Sequence, residues 1–141
     1  MIDLVPLLIS VGLSALIGIE RQIAGAAAGL RTHMLVCISA TLLTLISLIF
    51  LHDPARIIAG LVTGIGFIGA GTIMASAKTK HTGLTTAASL FAVMSLGILI
   101  GLEYYLISFI LTLLIIFVLE LWRLEVWLGI KGKKVKKKDK N

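Results

Sequence analysis

Apolar residues along this chain fall into five long blocks rather than alternating with polar ones. The blocks cover 4–19, 33–51, 57–75, 84–102 and 104–121. Short polar interruptions separate them: Glu20-Arg21-Gln22, then His52-Asp53-Pro54-Ala55-Arg56, then the stretch from Ser76 to Thr82, then Glu103. An α-helix rises about 1.5 Å per residue, so a hydrocarbon core of about 30 Å takes about 20 apolar residues, close to the length of each block. Continuous runs speak against a membrane β-barrel, whose strands alternate, and open sheet edges find no hydrogen-bond partners in lipid. The pattern predicts an all-α integral membrane bundle of five transmembrane helices within 1–122. The remainder, 123–141, is expected to be a cytoplasmic interfacial segment with a Lys-rich tail.

Small and hydroxyl-bearing residues indicate which helices pack, because they let backbones approach and hydrogen-bond across the contact. Ser10, Ser14 and Gly18 recur every four residues in the first helix, and Cys37, Thr41, Thr44 and Ser47 form a stripe on the second. The fourth carries Thr85, Thr86, Ser89, Gly97 and Gly101. The third carries Gly60, Gly64, Gly66, Gly69 and Gly71, which read as helix-packing glycines forming a seam. The fifth is Leu, Ile, Phe and Val with only Ser108 and Thr112 inside it, so helices one to four are expected to form the bundle and the fifth to face lipid. Gly64-Ile-Gly66-Phe-Ile-Gly69 spells the dinucleotide fingerprint, but that motif has meaning only between a strand and a helix start.

Composition agrees and narrows the class. Of 141 residues 58% are hydrophobic and 14% charged, against about 25% charged in soluble domains. A water-facing surface cannot be made from so few polar groups, so a soluble enzyme is excluded. The net charge of +6 resides wholly from Arg123 onward, where one Arg and seven Lys face Glu125 and Asp139. Twelve of the 13 basic residues fall on one side of a five-span topology, leaving Arg56 alone on the other. Basic loops stay in the cytoplasm, which predicts an N-out/C-in orientation. The tail lysines are expected to lie on anionic lipids, each contributing about 1 kcal/mol. No basic stretch interleaves with stacking aromatics, so no nucleic-acid partner is expected. Met1-Ile2-Asp3 lacks the basic start of a cleavable signal. One glycine-interrupted helix without a counterpart does not make the paired repeats of an alternating-access transporter.

Candidate chemistry concentrates where the first helix gives way to the second. Glu20, Arg21, Arg31, Thr32 and His33 flank the loop Ala24-Gly25-Ala26-Ala27-Ala28-Gly29, with Thr85 and Thr86 at the start of the fourth helix expected nearby. Ionisable groups at membrane depth are functional hypotheses by default; the plainer reading makes them interfacial anchors. Arg presents five donors and stays charged, so Glu20 is expected to pair with Arg31 and fold the loop against the bundle. That loop suits close apposition or a shallow re-entrant segment. On the other side, Asp53-Pro54 suits a helix cap with Arg56 beside it, a cation site at Asp53 being the minor alternative. No catalytic pair or metal-ligand cluster stands out, so no enzyme and no cofactor are expected; metal ligands stay unknown. Glu120 and Arg123 make an i, i+3 pair, and Trp122 and Trp127 an interfacial belt.

These motifs carry a resemblance. Glu20-Arg21, Ala28-Gly29-Leu30-Arg31-Thr32-His33 with Leu35-Val36-Cys37, Asp53-Pro54-Ala55-Arg56-Ile57, Gly64-Ile-Gly66-Phe-Ile-Gly69-Ala-Gly71 and Gly83-Leu84-Thr85-Thr86-Ala87-Ala88 stand in the order seen in the MgtC/SapB family. The resemblance covers about residues 12 to 102. It implies a multi-pass protein of the bacterial inner membrane linked to magnesium homeostasis, to adaptation to magnesium limitation and, in some members, to survival inside host cells. It further implies a regulator acting on other membrane complexes, with a membrane-protein partner or a homo-oligomer. An ion or small-solute transporter or channel is the alternative; against it, none of the seven acids lies near mid-span. Gln22 stands where the family often has a second acid, Ala27 where a basic residue is common and Phe91 where Trp is frequent. Many members also carry a soluble domain after the fifth helix.

Overall fold

The computed structural model describes residues 4–50, 54–76 and 80–127. They form five helices and no strand: α1 Val5–Ile23, α2 Leu30–Phe50, α3 Pro54–Ala75, α4 Lys80–Gly101 and α5 Tyr105–Trp127. Each helix is long and apolar enough to cross a membrane. The helices run past the apolar blocks at several ends, so that Glu20, Arg21 and Gln22 belong to α1, and Arg31 and Thr32 to α2. Hydropathy detects the hydrocarbon-facing stretch, whereas backbone hydrogen bonding continues the helix into the interface.

Helix α4 is the hub and packs against each of the other four. Leu90, Val93, Leu96 and Ile100 on it are fully buried. Around them lie Ile17 of α1, Cys37 and Ala40 of α2, Ile65 of α3 and Ile115 and Leu119 of α5. Since lipid tails are as apolar as leucine, burial of hydrocarbon does not drive this packing; close fit and interhelical hydrogen bonds do. The predicted stripes are the ones buried: Ser10, Ser14 and Gly18 on α1, and Cys37, Thr41, Thr44 and Ser47 on α2. Between α2 and α4, Thr41 Oγ1 donates to the carbonyl of Gly97 at 3.0 Å.

The expectation about the α3 glycines is corrected, whereas most large apolar side chains of α5 are exposed, as its composition predicts. Among the third-helix glycines only Gly69 faces a neighbour, where a Cβ would lie 3.4 Å from Ala87 Cβ; Gly60, Gly64, Gly66 and Gly71 have nothing within 4 Å. The tight glycines lie elsewhere. A Cβ at Gly97 would fall 2.5 Å from the Cys37 carbonyl oxygen, one at Gly101 2.6 Å from Thr44 Cβ, and one at Gly18 2.7 Å from Leu30 Cα. Helix α3 touches only α4 and α2 among the described helices, and α5 touches only α4 and α1, so both lie at the rim of the bundle. Helix α5 turns Ser108, Thr112, Ile115 and Leu119 inward, and both hydroxyls donate to carbonyls one turn back.

Candidate functional site

The site is built on the turn that joins α1 to α2. Helix α1 stops in a Schellman turn: the N–H of Ala26 donates to the Arg21 carbonyl at 3.0 Å and that of Gly25 to the Gln22 carbonyl at 3.1 Å. Gly25 takes φ +69°, a conformation that glycine adopts at little cost. The Gln22 side chain then reaches across, its Oε1 accepting from the Leu30 N–H at 3.2 Å. This satisfies a donor that the first turn of α2 would otherwise leave free. Gly29 keeps the space open, since a Cβ there would fall 2.7 Å from that oxygen. Ala28 is buried against the bundle, while Ala24, Gly25 and Ala27 are exposed, so the loop is anchored at its α2 end. Position 22, where the resemblance leads one to expect an acid, needs only an acceptor oxygen for this role, and glutamine has one.

Glu20 and Arg21 form the ion pair at this end. Arg21 Nε and Nη2 donate to Glu20 Oε2 and Oε1, both at 2.5 Å, with side chains only 11% (Glu20) and 7% (Arg21) exposed. The expected partner of Glu20, Arg31, lies elsewhere: it is exposed and makes no ion pair among the described residues. Helix geometry explains this. Two residues subtend about 200° on a helix, so with His33 facing inward Arg31 must face out. Thr32 is exposed as well, and so is Thr85, whereas Thr86 is buried.

His33 is the innermost member, 0% exposed, and within electrostatic reach of Arg21 and Glu20. Its Nδ1 lies 2.9 Å from the Gly29 carbonyl, so Nδ1 carries a proton and donates. Its Nε2 lies 3.0 Å from Ser89 Oγ, and Ser89 Oγ also lies 2.8 Å from the Thr86 carbonyl. Ser89 has one proton to give. Either it donates to Nε2 of a neutral ring, or it donates to Thr86 and accepts from an imidazolium. The His33 imidazole thereby links Ser89 of α4 to the Gly29 carbonyl of the α1–α2 turn.

The structure therefore brings Glu20, Arg21, His33 and Thr86 together and leaves Arg31, Thr32 and Thr85 outside. Sequence reasoning missed Ser89 as the link and Gln22 as the cap. Ser89 stood three residues after Thr86, on the face that Thr86 shares, which was the available signal. Further along the same seam, Cys37 lies beside the hydroxyls of Ser14 and Thr41. Arg56 is exposed in the first turn of α3, while Asp53 and the tail lysines lie outside the described residues. Among the described residues no group of three His, Cys, Asp or Glu side chains could hold a metal ion.

Five apolar helices around a hydroxyl-lined core define a multi-pass membrane protein. The chain belongs to the MgtC family, whose model matches residues 7–125. It is similar to a protein of Escherichia coli K12 named "Putative magnesium transporter YhiD", 42% identical over 63% of this chain and 46% of the relative. It is also similar to the protein MgtC of Salmonella typhimurium, 45% identical over 70% of this chain and 43% of the relative. A third relative is the protein SapB of Bacillus subtilis, 31% identical over 70% and 49%. The chain spans about half the length of the curated relatives it matches. No solved structure matches.

Proposed function

We propose that this chain is a non-enzymatic protein of the bacterial inner membrane, N-out and C-in, that serves magnesium homeostasis by regulating another membrane complex through helix packing. The observation that carries this reading is the open small-residue face of α3. Gly66 and Ala70, with Ala88 of α4 beside them, line an apolar recess of about 510 Å³ that nothing among the described residues fills. Small residues in a span permit a close approach of backbones, and here the approaching backbone is a partner's. The hydrogen-bonded turn around Glu20, Arg21 and His33 holds α1, α2 and α4 in register, so the face is presented on a rigid support. The magnesium link rests on the relatives' names.

A photocrosslinking residue placed at Ala70 tests this reading in cells limited for magnesium. It is expected to give a discrete protein adduct, while the same residue at Phe117, on the outer side of α5, gives lipid adducts alone. Absence of a protein adduct at position 70 would contradict the reading. So would magnesium flux into proteoliposomes that hold only this chain, which would favour the transporter alternative.

A further inference from the structure

Helix α3 is flanked on its other side by a second apolar recess, a groove of about 540 Å³ between α2 and α3. Leu35 and Leu43 of α2 and Leu61 and Ile68 of α3 form its walls. Gly60 and Gly64 line it without a side chain, and nothing stands within 4 Å of where their Cβ atoms would be. Arg56 lines the end nearest the start of α3; it is exposed, and no carboxylate pairs with it among the described residues.

Length, lining and charge together point to the occupant. From Arg56 to Ile68 the helix rises about 18 Å, a little more than half of a hydrocarbon core, about 15 Å. The groove's walls are mainly apolar and its mouth carries one cation, the pattern of an acyl chain lying below a charged headgroup. The guanidinium at the mouth offers a planar fork of donors matched to a phosphate. We propose that the α2–α3 groove is a binding site for an anionic phospholipid, with one acyl chain along Gly60 and Gly64 and the phosphate on Arg56. This site lies on α3 itself, apart from the Lys-rich tail and apart from the Gly66–Ala70 face.

Native mass spectrometry of the full chain in a neutral detergent tests the site, with phosphatidylglycerol and phosphatidylcholine of the same chain lengths as probes. One phosphatidylglycerol is expected to be retained in preference to phosphatidylcholine, and Arg56→Gln to reduce that preference about tenfold. This variant keeps every tail lysine, so the loss reports the groove. Gly64→Leu, which fills open space, is expected to abolish retention of the single lipid, and glycerol 3-phosphate without chains is expected not to compete. Equal retention of both lipids, undiminished retention by either variant, or competition by the chainless phosphate would each overturn the proposal. A photocrosslinker at Gly64 that captured protein instead of lipid would overturn it too.

Discussion

Helices α3 and α4 both carry glycines through the membrane, and the glycines do opposite things. Half of the α4 span is buried inside the chain, against 11% of the α3 span. At Gly97 and Gly101 the missing side chains let α2 come so close that a methyl would overlap the Cys37 carbonyl and Thr44. At Gly60, Gly64, Gly66 and Gly71 the same absence leaves open surface. A glycine in a span thus records that something approaches closely, and only the neighbouring backbone shows whether that something is part of the same chain.

The contrast can be broken most severely at Gly97. Gly97→Ala is expected to prevent correct assembly, read as loss of the monodisperse peak and of a cooperative melt, because the obstructing atom is backbone and cannot rotate away. Next in size is Glu20→Gln, which leaves Arg21 buried with half of its pair. Removing one partner of a buried pair costs about 3–5 kcal/mol, measurable as a lowered melting temperature. Thr41→Val removes the bond to the Gly97 carbonyl and is expected to cost about 0.6 to 2 kcal/mol in a steric-trap unfolding assay. Gly64→Ala sharpens the comparison from the other side: its methyl meets nothing, so the variant is expected to gain about 0.5–1 kcal/mol from helix propensity. A loss at Gly64 would place that residue in a packed seam and dissolve the distinction.

Much of the fold was legible in the sequence because a bilayer imposes one length on every span and hydroxyl stripes betray the faces that pack. Cys37, Thr41, Thr44 and Ser47 all turned out buried for that reason. The role of α3 was not legible, since Gly66 and Gly97 are chemically identical and differ only in what lies opposite. On α5, Ser108 and Thr112, four residues apart, mark a narrow inward face, while Leu106, Phe109, Leu113 and Phe117 are exposed as its apolar composition predicts. At the α1–α2 turn the right residue types were visible, but the pairing was not. Glu20 found its partner in the adjacent Arg21, and the inward orientation of His33 excluded Arg31 through the 100° step of the helix. Gln22 was read as a departure from a family pattern, and its capping of α2 became visible only once Leu30 was placed beside it.

The most direct test of the account is Gly66→Leu, assayed by growth under magnesium limitation in a strain lacking its own copy, with melting measured on the purified protein. Nothing lies within 4 Å of a Cβ at this position and the side chain enters an open recess, so insertion and melting are expected to match the parent while complementation is lost, because the added side chain occupies the face a partner helix needs. Full complementation by a normally folded Gly66→Leu protein would contradict the claim that α3 is the surface through which this protein acts.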